Sequence, residues 1–178
     1  FNDRFTGSEG DLLDSIKELV EKRKDGMVVV TTFASNIARM HTLLKAAELT
    51  GRKAVLSGWS LKRLYSIAKE TGYLDDIVEP ISEKEIKRYN KNELMVIATG
   101  CQGESRAQMS KIINHKHEYV KLGKKDLVIF SSKIIPGNEK KIFAMLNQLV
   151  RLGCDVITEK DHHVHVSGHP SREEVKTL

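Results

Sequence analysis

The sequence contains no apolar run approaching ~18 residues, so nothing in it reads as a membrane-spanning helix. Its two cysteines, Cys101 and Cys154, are far apart and form no C-x-x-C. That argues against a disulfide or cysteine-zinc framework and fits the reduced thiols of the cytoplasm. Nucleotide signatures are also missing. No G-x-G-x-x-G follows the first apolar run, and no G-x-x-x-x-G-K-[ST] occurs. G-x-S-x-G is absent, which removes the strongest pointer to an α/β-hydrolase. There is no tandem repeat and no low-complexity tract. Phe1-Asn2-Asp3-Arg4 shows neither an initiator Met nor a signal-peptide pattern, as expected of a piece from within a longer protein.

What is present fits a single domain with a sizeable core: 178 residues, 40% hydrophobic and 30% charged. A net charge of +5 is compatible with a polyanionic partner, but many ordinary enzymes share it.

Residues 1–10 are polar and contain glycine, and read as a linker or arm before a domain at 11–178. Asp11 is a candidate cap for a helix with Leu12, Leu13, Ile16, Leu19 and Val20 on one face. Short, continuously apolar runs then recur: Met27–Thr31, Lys53–Leu56, Leu94–Ala98, Leu127–Phe130 and Asp155–Ile157. Such runs suit parallel strands buried on both faces. Amphipathic helices alternate with them, placed at Ile37–Ala47, Leu61–Thr71, Ser105–Asn114 and Glu139–Leu152. The expected fold is a doubly wound α/β domain, with a mainly parallel sheet of about five or six strands and helices on both faces.

Four turns should follow carboxyl ends of strands and share one edge of the sheet. The first carries Phe33, Ser35 and Asn36, and the second Gly100, Cys101, Gln102, Gly103 and Glu104. The third carries Ser131, Pro136, Gly137 and Asn138, and the fourth Ser167, Gly168 and His169. Hydroxyls, amides and glycine backbone with few fixed charges suit phosphates and sugar hydroxyls. Any single turn could equally be ordinary turn chemistry; four on one edge are harder to dismiss. The fourth is the richest. An alternating strand-like segment, His163–Val166, stops at Ser167-Gly168, and Ser171 with Glu174 forms a capping box for a following helix.

His162, His163 and His165 are not assigned to a metal, because no acidic ligand accompanies them. His165 reads as a strand residue, and His115 and His117 beside Lys116 as a solvated face. His169, on the turn, is the histidine expected to act on a ligand.

Taken together, the Thr32–Asn36 turn, Ala98-Thr99-Gly100-Cys101-Gln102-Gly103-Glu104, Ile135–Lys140 and His165-Val166-Ser167-Gly168-His169 resemble the β-CASP domain of ribonuclease J, of the metallo-β-lactamase nuclease superfamily. The family more often has Ser at the Cys101 position. The resemblance implies an insert in a metallo-β-lactamase domain, with RNA bound in the cleft between them. It implies hydrolysis by a zinc-activated water, with 5′-to-3′ exonuclease and endonuclease activity. It also implies a cytoplasmic, homo-oligomeric full-length enzyme with no membrane association. His169 matches the motif B histidine beside the scissile phosphate, and Ser167 and Gly168 match a phosphate pocket. The zinc motif H-x-H-x-D-H is absent from the chain, so the fragment is expected to hold no zinc and to be inactive alone. A DNA-processing or non-catalytic RNA-binding β-CASP module, or a free-standing α/β protein for a small phosphorylated ligand, are the competing readings.

Overall fold

A computed structural model describes residues 3–165, with side chains from residue 9. Within it the chain runs α1 (Asp3–Lys22), β1 (Val28–Thr31), α2 (Ile37–Leu49), β2 (Lys53–Ser57) and α3 (Trp59–Glu70). Two short 3-10 turns follow, Glu83–Arg88 and Lys91–Glu93, then β3 (Leu94–Ala98), α4 (Gln108–Ile113), β4 (Leu127–Phe130), α5 (Glu139–Arg151) and β5 (Asp155–Ile157). The strands form one five-stranded, all-parallel sheet in the order β2-β3-β1-β4-β5. The expected doubly wound fold is what the chain adopts.

The three central strands are buried along their whole length because each is apolar on both faces. Alternate residues feed opposite cores. Val28 and Val30 of β1 join Leu12, Ile16, Met40 and Leu43 of α1 and α2, with Leu61 and Ala68 of α3. Val29 instead joins Met109 and Ile112 of α4 and Met145 and Leu149 of α5. Each such aliphatic side chain contributes roughly 1.5–3 kcal/mol by leaving water.

The connection from β2 to β3 uses both faces. After α3 the chain rounds the β2 edge, where Ile81 bridges Val55, and then sets Ile86 in the second core. Glu85 and Glu93 each reach back to the backbone N–H of the residue three before, Ser82 at 2.8 Å and Asn90 at 2.7 Å, which starts the two turns.

Several sequence expectations need correction. Helix α1 begins at Asp3, so most of the 1–10 segment is helical and Asp11 is not its cap. Glu9 holds it in place, accepting from Thr42 Oγ1 at 2.8 Å. Helix α4 starts at Gln108, because Ala107 is extended and Met109 N–H donates to Thr99 O across the turn. His163–His165 is not a strand. The apolar stripes read from the sequence include Ile67 of α3 and Phe143 and Val150 of α5, but these three point outward, while Met145 takes the inward position on α5. Lastly, His117 is buried: His115 adopts a left-handed φ of 59°, which turns the chain back and aims His117 inward.

Candidate functional site: the carboxyl edge of the sheet

Strand β1 leads into α2 on one face, whereas its neighbours β3 and β4 lead into α4 and α5 on the other. Their carboxyl ends therefore diverge, which is where open α/β sheets form a crevice. Three of the four sequence-predicted turns lie there in the described residues, and the structure ties them together.

The β4 turn is the hub. Thr32 Oγ1, past β1, donates to Ser131 O at 3.1 Å. Arg39 of α2 is buried and donates from Nη1 to Ser131 O at 2.9 Å and Ser131 Oγ at 2.8 Å. Ser131 Oγ in turn donates to Val164 O. From the β3 turn, buried Gln102 donates to Lys133 O at 2.9 Å and accepts from Ile135 N–H at 3.0 Å and Asn138 Nδ2 at 3.2 Å. Gln102 and Ser131 thus spend their polar atoms bracing the edge.

Other predicted residues have different placements. Asn36 Oδ1 caps α2 by accepting from Arg39 N–H at 2.9 Å. Glu104 accepts from Gln102 N–H at 3.1 Å, and its side chain is otherwise exposed. Ser35, Pro136 and Gly137 are exposed, and Phe33 is half-buried. Gly100 sits where a Cβ would come within 2.9 Å of Ala107 Cβ, so the glycine serves packing of the turn onto α4. Between the β4 turn and the segment after β5 lies a cavity of about 10 Å³, lined in part by Cys101, Ser132 and Thr158; burial raises the pKa of the Cys101 thiol.

Arg39 also organises the approach to the fourth turn. Its Nη1 lies 3.2 Å from His165 Nδ1, and its Nη2 lies 3.4 Å from Glu9 Oε1. A guanidinium can only donate, so Nδ1 accepts in that contact. Burial, then the Arg39 charge, lowers the pKa of His165 below the ordinary imidazole value. Burial also lowers the Arg39 pKa, opposed by Glu9. Ser167, Gly168 and His169 lie outside the described residues, but Val164 and His165 before them are both fixed to this edge.

Sequence reasoning missed one buried polar cluster at the β2 end of the same edge. His117 Nε2 lies 2.9 Å from Ser57 Oγ and 3.0 Å from Glu83 Oε2. Its Nδ1 accepts from the N–H groups of Tyr119 at 3.1 Å and Val120 at 3.0 Å, which places the ring hydrogen on Nε2. Glu83 is also paired with Lys62. Its pKa is lowered to about 2, chiefly by His117 and against the effect of burial. Serine and glutamate meet the same ring nitrogen and Ser57 is fully buried, so this is not a nucleophilic triad.

Among the described residues no three His, Cys, Asp or Glu side chains converge as a metal site. Among the same residues no helix is long and apolar enough to cross a membrane.

A parallel, doubly wound sheet whose polar turns are braced along its carboxyl edge defines an open α/β domain with a crevice at that edge. The chain belongs to the ribonuclease J β-CASP family: residues 25–149 match the family described as "Ribonuclease J, beta-CASP domain". A ribonuclease J of Sinorhizobium meliloti is 36% identical over 171 residues, covering 96% of this chain and 30% of that protein. Ribonuclease J 1 of Streptococcus pyogenes is 36% identical over 178 residues, covering 98% and 31%. Ribonuclease J of Thermus thermophilus is 34% identical over 174 residues, covering 98% and 30%. The chain spans about 30% of the length of these curated relatives.

Proposed function

We propose that this chain is the RNA-guiding part of a ribonuclease J-like hydrolase. In this reading a metallo-β-lactamase domain of the same polypeptide holds two zinc ions, which activate water. The β-CASP edge seats the RNA against that centre, for 5′-to-3′ exonucleolytic and endonucleolytic cleavage in the cytoplasm by a homo-oligomer. The observation that carries the reading is the braced edge itself. Gln102, Thr32, Arg39 and Ser131 lock three turns together and anchor Val164 and His165, the residues leading into Ser167-Gly168-His169. Membership of the ribonuclease J β-CASP family supports it.

The division of labour follows from chemistry. Ser167 offers a hydroxyl and Gly168 an approachable backbone for a phosphate near the RNA 5′ end. His169 donates a hydrogen bond to a phosphoryl oxygen as charge builds there, a contribution on the order of 2–4 kcal/mol. The full-length enzyme carrying His169→Ala should lose about 30- to 1000-fold in cleavage rate, with melting temperature and zinc content unchanged. Gly168→Val should weaken RNA binding more than turnover. Near-normal cleavage by a folded His169→Ala enzyme would remove the reading.

A further inference from the structure

We propose that Trp59 and Arg63 form a stacking platform for an unpaired RNA base at the β2 end of this edge. The proposal rests on the RNA-guiding reading above and names a contact that the four polar turns do not supply.

Trp59 is the chain's single tryptophan and is 71% exposed. A large indole left in water at the first position of a helix is unusual, since its apolar area ordinarily goes to a core. Its place in the fold is specific. Ser57 ends β2, Gly58 turns the chain with a φ of 120°, and Trp59 opens α3. Gly58 packs against the β3 turn so closely that a Cβ would come within 2.9 Å of Thr99 Oγ1. The indole therefore stands on the same carboxyl edge as the candidate turns, next to the β3 turn.

The ring is already organised for stacking. The Arg63 guanidinium lies over it, 5.3 Å from the centroid, a cation-π contact one helical turn away. Among the described residues no carboxylate pairs with Arg63. The first turn of α3 carries no acidic residue either. Glu83, beside Ser57 at the end of β2, is engaged by Lys62 and His117. An exposed aromatic face backed by an unneutralised guanidinium fits a base attached to a phosphodiester. Single-strand binders use this pairing, with stacking tolerant of sequence and the cation serving the backbone.

Spacing supports the same occupant. Strands lie about 4.8 Å apart, and β2 is two positions from β1 and three from β4 in the sheet order. The platform is thus roughly 10–14 Å from the β1 and β4 turns, so a ligand touching both it and those turns has the length of an oligonucleotide and not of a mononucleotide.

The lone tryptophan is its own reporter. The chain is titrated with a ten-nucleotide single-stranded RNA at low salt, with binding read by anisotropy of the labelled RNA and stacking by Trp59 fluorescence. The expected result is binding accompanied by quenching, with a duplex of the same sequence quenching far less because its bases are already stacked. Trp59→Ala should weaken binding about five- to a hundred-fold. Trp59→Phe should recover part of that, and circular dichroism should show both variants folded. Binding by anisotropy with no quenching and unchanged affinity in Trp59→Ala would overturn the platform and leave the RNA-guiding reading standing. Absence of any binding would overturn both. If Trp59→Ala instead abolished a concentration-dependent dimer in sedimentation while RNA affinity held, the indole would serve a second copy of the chain, and the platform would again fall.

Discussion

Glu83 is a carboxylate held ionised far into acid. Its folded pKa of about 2 lies below the ordinary value of 4.5, because His117, Lys62 and Ser57 all interact favourably with the charged form. A depressed carboxylate contributes stability that is fully present above its unfolded value and is lost as pH falls through the folded one. The loss attributable to Glu83 should therefore appear between about pH 4.5 and pH 2. Denaturant midpoints across that window should fall less steeply for Glu83→Gln than for the parent. At pH 7 the same substitution should cost roughly 1–2 kcal/mol, after allowance for partial solvent screening. None of this cluster was visible beforehand. His115-Lys116-His117 looks like a solvated run because two basic neighbours surround the middle residue. What buries His117 is one left-handed residue and a pair of amides that its Nδ1 can cap, and neither leaves a pattern in composition or spacing. Gln102 is a different case. Its place in a polar turn was legible, but whether such an amide faces a ligand or a neighbouring turn depends on how far the β4 turn reaches across.

At the scale of elements, strands and helices were readable where burial alone decides them. Leu94–Ala98 or Leu127–Phe130 can lie comfortably only inside a two-faced sheet. Element ends were less legible. Gly7 and Gly10 disfavour helix, and Asp11 is a good cap, yet α1 continues back to Asp3 because α1 packs on α2 and Glu9 reaches Thr42 and Arg39. The turns offer a matched test. Gly103 has a φ of +79°, and a Cβ there would lie 2.7 Å from Lys141 Cβ and 3.1 Å from the Lys141 carbonyl carbon. Gly137 has a φ of +99°, but open space around it. Gly137→Ala should therefore cost only the backbone strain, about 1–2 kcal/mol. Gly103→Ala should cost visibly more, about 2–4 kcal/mol, because the start of α5 must also move. Thermal unfolding of the two variants side by side checks the order; equal shifts would mean that the β3 turn does not lean on α5.

For the whole molecule, the modest net charge of +5 sets the scale of any RNA affinity. A few phosphates neutralised along one edge should make log affinity fall with log salt by about 0.7 per contact. Titration of a single-stranded RNA at several salt concentrations measures that slope. A flat response would count against an edge that tracks phosphates and would favour a neutral surface contact.

Arg39 ties together parts of the chain that are far apart in sequence. Its guanidinium reaches Glu9 of α1 and His165 after β5 while donating to Ser131 at the end of β4. Loosening at one of these places should therefore be felt at the others. Replacing Arg39 with Met keeps an apolar stem but removes every donor, so amide exchange should speed up together around Glu9 and around Val164, while the central strands β1 and β3 keep their protection. Faster exchange at one place alone would show that the two are held independently, and the clasp would then be two separate latches.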